Sequence, residues 1–211
     1  MADWVTISSL ATAGGTLVLG VATFAAVRSS NRSARIAEQA LQEQRRPILV
    51  HSLLDDSAQK IGFADGHWIR VAGGHAVAEH ADGNIYLGMS LRNVGLGIGV
   101  LQGWHLWPDQ EVGRGDHVPA EQFRMTTRDL LVPPSDIGIW QGAIRDRDDE
   151  GHGHAASAIT ERRPFAIDLL YGDSTGGQRS ISRFAVVPVG DADEWLVSVA
   201  RHWSLDGHGL R

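Results

Sequence analysis

Hydrophobic and polar positions change their rhythm twice along this chain. From Trp4 to Val27 there are 24 residues without one charged side chain. As a helix rising about 1.5 Å per residue, such a run reaches about 36 Å, enough to cross a hydrocarbon layer of about 30 Å with some tilt. It predicts one transmembrane anchor over residues 1–27, in which Gly14, Gly15 and Gly20 are tolerated because lipid offers the backbone no competing water. From Arg28 to Gln44 the chain turns to Ala, Arg, Glu and Gln, with no Gly or Pro before Pro47. This composition predicts a helical juxtamembrane neck over 28–46, with Ile36, Ala37, Ala40 and Leu41 forming a narrow apolar stripe. Pro47 disfavours helical geometry at Arg46, and beyond it the apolar period falls from 3.6 to 2.

The clearest alternation runs from Asn84 to Arg92. Ile85, Leu87, Met89 and Leu91 fall on one face and Tyr86, Gly88, Ser90 and Arg92 on the other, which predicts a half-buried strand. Further strands are expected at Phe165–Tyr171, Ile181–Val187 and Trp195–Val199, with shorter apolar runs at Ile48–Leu54, Val100–Trp107 and Ile137–Trp140. Gly172 to Gly177 reads as a hairpin loop between two of them. No long amphipathic helix is expected after Pro47. The fold class is therefore mainly β: an N-terminal transmembrane helix and helical neck, then an antiparallel immunoglobulin-like β-sandwich over 47–211.

Charge sharpens this organisation. The 211 residues carry 19 basic and 25 acidic side chains, a formal charge of −6, which argues against a nucleic-acid partner held by broad phosphate neutralisation. Residues 47–211 hold 14 of the basic and 22 of the acidic residues, so the expected sandwich is near −8 while the neck is basic. An acidic domain is repelled by anionic lipid, and the neck is expected to hold it off the bilayer. Arg28, Arg32 and Arg35 follow the span closely, with Arg45 and Arg46 beyond, whereas only Asp3 precedes it. Arginines near a span tend to stay in the cytoplasm, so the expected localisation is the inner membrane, single-pass, N-terminus outside and C-terminal domain inside. A cleaved signal peptide should instead open with a basic segment, which Met1-Ala2-Asp3 does not supply. The absence of cysteine suits a reducing compartment and removes disulfides, thiolate zinc sites and cysteine nucleophiles. All but one of the 19 basic residues are arginine, Lys60 being the exception, as in a GC-rich bacterial genome. The bilayer is the expected first partner. Ala11 with Gly15 and Thr16 with Gly20 place small residues at i, i+4, a pattern through which two spans approach closely, so a homo-oligomer through span and neck is a second.

Taken in order, the span, the Arg-rich neck, Arg46-Pro47-Ile48-Leu49-Val50 and Leu91-Arg92-Asn93-Val94-Gly95-Leu96-Gly97 resemble a broad group of uncharacterised, largely actinobacterial, membrane-anchored β-sandwich proteins. Tyr171-Gly172-Asp173 with Gly176-Gly177 is similar to a hairpin of that group. The resemblance implies an anchored sandwich and brings no catalytic residues. Asn93, Gly95, Gly97 and Gly99 allow backbone shapes with positive φ, so that a strand can bend or bulge before Val100.

Candidate chemistry is sparse. Gly172-Asp173-Ser174-Thr175-Gly176-Gly177 looks like the serine-protease signature Gly-Asp-Ser-Gly-Gly, but Thr175 is inserted after the serine and no Ala-Ala-His segment precedes it. Asp146, Asp148, Glu150 and Gly151 fit positions 1, 3, 5 and 6 of a calcium loop, yet Ser157 stands where a bidentate glutamate belongs. With His152 and His154 the segment suits zinc, nickel or copper better, and otherwise reads as an exposed flexible loop without flanking helices. The ten histidines, His51, His67, His75, His80, His105 and His117 among them, are scattered. Trp104, Trp107, Trp140, Trp195 and Trp203 are expected to fill the core and rim rather than a ligand groove. There is no phosphate-binding glycine motif between strand and helix, and no cofactor is expected. These readings converge on a non-catalytic, membrane-anchored interaction or scaffold module that docks a protein. The alternatives are an outward-facing ligand- or envelope-binding domain and an enzyme whose residues converge only in three dimensions.

Overall fold

The computed structural model describes residues 4–108, 115–190 and 194–206, and the chain divides into two compact units at Gln44/Arg45. The first is a single helix, α1 (Trp4–Gln44), 41 residues long. Its stretch Thr12–Glu38 is long and apolar enough to cross a membrane by length and composition. No break separates an anchor from a neck: the helix runs through Val27 and Arg28 unchanged. Thr16 and Thr23 donate their hydroxyls to the carbonyls of Thr12 and Leu19, at 2.9 and 2.8 Å, which satisfies both groups inside the helix.

The second unit is mainly β. Its strands are β1 (Leu49–His51), β2 (Gln59–Gly62), β3 (Trp68–Val71), β4 (His75–Ala81), β5 (Asn84–Asn93), β6 (Gly99–Trp107), β7 (Arg124–Val132), β8 (Ile137–Ile144), β9 (Phe165–Gly172), β10 (Ser180–Val189) and β11 (Glu194–Ser204). Nine of them form one curled antiparallel sheet, and β2 and β3 form a separate hairpin. Along the sheet β5 pairs with β4, and the path continues through β11, β10, β9 and β6 to β7. β5 has β8 on its other side and shares its first side between β4, over Asn84–Met89, and β1, over Leu91–Asn93.

Curling the sheet encloses the main core, where Leu87, Met89, Leu101, Trp140, Leu169, Phe184 and Trp195 meet. The half-buried reading of β5 is corrected here. Its second face is also covered, because the β2–β3 hairpin lays Ile61, Ile69 and Val71 over Gly88 and Tyr86. A Cβ on Gly88 would stand 2.6 Å from Ile69 Cδ1, so close packing of the hairpin depends on that glycine. β9 is likewise buried along its whole length. Ile167, Leu169 and Tyr171 enter the main core, while Leu170 packs with Ile181 and Phe123 in a second cluster. The run Ile48–Leu54 yields only the three-residue β1.

A second correction concerns residues 146–160. The segment expected to be a flexible loop contains α2 (Glu150–Thr160), capped by Asp149, whose carboxylate accepts the Gly151 N–H at 2.9 Å. Ala155, Ala156 and Ile159 pack this helix against the main core. Gly151 and Gly153 hid it, since glycine lowers helix propensity and breaks the apolar pattern.

Gly95, Gly97 and Gly99, like Asn93, do not take up the positive φ open to them. They are required for close approach instead. A Cβ on Gly97 would lie 1.6 Å from the Arg45 carbonyl oxygen, and one on Gly95 would lie 2.3 Å from that of Arg46. The loop therefore receives the chain as it enters the β unit.

Candidate docking cleft at the strand seam

β7 and β8 are consecutive strands joined by a turn at residues 133–136, where Asp136 N–H bonds Pro133 O at 3.3 Å. They pair with different neighbours, β7 with β6 and β8 with β5, and no ladder joins them to each other. The curled sheet consequently stays open along one seam. At the turn the two strands touch, Gly138 lying against Val132. Farther along they part, and a cleft of about 220 Å³ opens between Met125–Arg128 of β7 and Gln141–Ala143 of β8.

The local cause is a wide bulge. β6 and β7 are in register at Leu101↔Leu130 and again at Gly103↔Met125, so the four residues Thr126–Asp129 stand opposite Gln102 alone. Extra residues on one strand bend it away from its partner and leave backbone groups outside the ladder. Thr126 holds the bulge down by sharing its hydroxyl between the carbonyls of Leu101 and Gln102, both at 3.2 Å. Trp104 forms the floor, T-shaped against Trp140 with ring centroids 5.5 Å apart. Gly142 lies against both rings and leaves no room for a side chain.

Arg124, Arg128 and Arg145 line the cleft, and among the described residues no carboxylate does. Arg124 lies over the Trp104 ring at 5.5 Å and reaches away from the cleft to Asp149, the cap of α2. Arg145 bonds Asp65 at 2.9 Å. Arg128 crosses the seam to the neutral amide of Gln141, Nη2 to Oε1 at 2.6 Å, and is exposed. Met125, 64 % exposed, forms an apolar lip. The arrangement offers cationic donors, an apolar lip and two strand edges, the components for binding an extended chain.

The residues singled out in the sequence are placed apart. Asp146 accepts the Asp148 N–H at 3.0 Å, while Asp148 and Glu150 border a second cleft with His105. His152 is buried on the far side, with Nε2 3.0 Å from Gly83 O and its ring 5.9 Å from that of His80. His154 is exposed on α2. Among the described residues no three His, Asp or Glu side chains converge as a metal would need. The Gly172–Gly177 loop is a turn organised by Asp173, whose Oδ1 accepts N–H groups from Thr175 and Gly177 at 3.1 and 2.9 Å. Trp104, Trp140 and Trp195 are buried in the core.

Two polar clusters escaped sequence reasoning because their members are distant in the chain. Asp168 on β9 and Arg183 on β10 form a bidentate pair at 2.6 and 2.7 Å, both side chains nearly inaccessible. Trp107 Nε1 donates to Asp168 at 2.9 Å, and the guanidinium lies between the rings of Trp107 and Trp203, at 4.9 and 5.1 Å. Burial pushes the neighbouring His105 imidazole below its ordinary range, against the pull of Asp168. In the second cluster Ser182 Oγ lies 3.1 Å from His202 Nδ1 and 3.0 Å from Tyr171 Oη. This is no nucleophile arrangement. Ser182 is fully buried and donates to Leu49 O at 3.2 Å, while Tyr171 Oη accepts the Leu49 N–H at 3.2 Å. The cluster fastens β1 to the sheet.

The chain matches no protein-family profile, and no curated protein matches it. Among solved structures it is similar to a protein from Archaeoglobus fulgidus, with 14% sequence identity over 64% of this chain and 95% of that one, at a TM-score of 0.25.

Proposed function

We propose that this protein is a non-catalytic, single-pass membrane-anchored docking module. In this reading α1 supplies both the anchor and a basic helical neck, and the curled sheet acts as an immunoglobulin-like β-sandwich that captures another protein. The observation that carries it is the open seam: β7 and β8 each present a strand edge without a ladder partner among the described residues, beside a cleft floored by Trp104. Exposed edges are ordinarily blunted or covered because they recruit further strands, so an edge beside a built cleft suits recruitment. The arginines at the end of the apolar run favour a bacterial inner-membrane location with the β unit in the cytoplasm.

The test joins topology to contact. A C-terminal fusion in a bacterial host should report cytoplasmic fluorescence and no periplasmic phosphatase activity. A photo-reactive residue at Thr127, on the exposed bulge, should then cross-link to one discrete protein in intact cells, and one at Trp68, on the β2–β3 hairpin, should not. Periplasmic activity would overturn the orientation and make an outward-facing ligand-binding domain the better reading. Equal cross-linking from both positions, or none, would overturn docking at the seam.

A further inference from the structure

Resting on the docking reading, we infer that the seam cleft takes an extended acidic segment of a partner protein, added as a strand between β7 and β8. Charge selects this occupant. Residues 47–211 together are near −8, yet the described residues lining this cleft include three arginines and no carboxylate. Asp149 and Asp65 balance Arg124 and Arg145 from outside the cleft. Among the described residues Arg128 bonds the Gln141 amide, a neutral acceptor that an incoming carboxylate displaces with gain, because charged acceptors make stronger bonds to guanidinium.

Backbone geometry selects the extended form. Thr126–Asp129 are looped out of the β6 ladder, β8 pairs among the described residues with β5 alone, and the cleft lined by the arginines lies between residues of the two strands. A strand entering there would join the two open edges of the sheet, its alternate side chains pointing down to Trp104 and Met125 or out to the arginines. An apolar–acidic alternation is the sequence pattern that fits. Nucleic acid also carries negative charge, but it offers no strand edge, and the acidity of the surrounding unit repels it.

The test uses the full chain in nanodiscs of a neutral lipid and three labelled octapeptides: alternating Val and Glu, alternating Val and Lys, and a Glu peptide with proline at every second position. Fluorescence anisotropy should give the Val-Glu peptide a Kd below about 100 µM at low salt. Arg128→Glu should weaken binding about tenfold or more, and so should raising NaCl from about 50 to about 500 mM, where screening shortens the reach of the arginines. Arg128 is exposed and among the described residues bonds Gln141, so the variant is expected to fold; Thr127→Glu, also exposed, adds a negative charge at the same cleft and serves as a second variant. Equal binding of the Val-Lys peptide, or no saturable binding of Val-Glu up to about 1 mM, would overturn the acidic occupant. Equal binding of the proline peptide would overturn strand addition, and tighter binding of an oligothymidylate would replace protein by nucleic acid. If Thr127 cross-links a discrete protein in cells while all three peptides fail, the docking reading survives and this inference falls. If the cross-link also fails, both fall.

Discussion

Asn93 accepts the backbone N–H of Ile48 through Oδ1 at 3.1 Å, tying the last residue of β5 to the first residues after Pro47. The same oxygen accepts Gly95 N–H at 2.9 Å, and Nδ2 donates to Gly97 O at 2.6 Å and Val132 O at 3.0 Å. One fully buried amide thus joins the chain entry, the glycine loop and the end of β7. Both donors and both acceptor positions are used, as a buried amide requires. Replacing Asn93 by Asp keeps the shape but removes both donated bonds and buries a charge. Asn93→Asp should cost about 3 kcal/mol or more, and Asn93→Ala about 2–4 kcal/mol, read from denaturant midpoints.

Glycine substitutions should separate close approach from helix propensity. Gly97→Ala forces a Cβ to within 1.6 Å of a backbone carbonyl oxygen, so the segment at Arg45 must move, and a large loss of thermal stability is expected. Gly153, on α2, has no atom within 4 Å of its virtual Cβ and no positive φ. Gly153→Ala should therefore stabilise the unit by up to about 1 kcal/mol. Opposite signs in one melting experiment are the expected result; equal effects would refute the close-approach account.

The buried Asp168–Arg183 pair should behave as a unit. Asp168→Ala leaves a guanidinium buried without its carboxylate and should cost about 3–5 kcal/mol. A double replacement by apolar residues, Asp168→Leu with Arg183→Met, should recover much of that loss, since desolvation of both charges is avoided. A double-mutant cycle in urea measures the coupling, and additive single effects would refute it.

Acid should destabilise the β unit before carboxylates titrate. Burial lowers the pKa of His105, and burial together with Arg46 lowers that of His202. Both imidazoles are ordinarily half-protonated near pH 6.5, so in the unfolded chain they take up protons first as pH falls. Their contribution is present above that pH and is lost as pH falls from about 6.5 through the depressed folded values. Melting temperature should drop between about pH 7.5 and 5.5, and His105→Asn with His202→Asn should flatten the slope.

At Asp65 the opposing effects are explicit. Partial desolvation pushes its carboxyl up, but bonds from Tyr86, Arg145 and His67 outweigh it and hold it at about 2. Carbon-detected NMR titration should find this value, and Arg145→Ala should raise it toward the ordinary aspartate range. The contribution of this carboxylate is present above its ordinary pKa and is lost as pH falls toward 2.

Local pattern made the chain's organisation legible. An uncharged run of 24 residues needs no partner to announce a span-length helix, and proline at 47 marks its end through backbone sterics alone. β5, β9, β10 and β11 follow from side-chain alternation, β6 and β8 from short apolar runs, and the 172–177 turn from Gly, Asp, Ser and Thr. β2 and β3 are only four residues each, β4 is built largely of Ala and His, and β7 has five of its nine residues exposed, so hydrophobicity gave little sign of them. What only the tertiary structure decided is what lies across from what. The second buried face of β5 depends on a hairpin some 20 residues upstream, and the role of Gly97 on a carbonyl at Arg45. Asp168 meets Arg183 because two strands fall into one register, and three arginines line one cleft because β7 bulges away from β6 and β8 turns to β5. Periodicity records which way a side chain faces along its own strand; the neighbour it meets is chosen by ladder register and sheet closure, which no local stretch of sequence encodes.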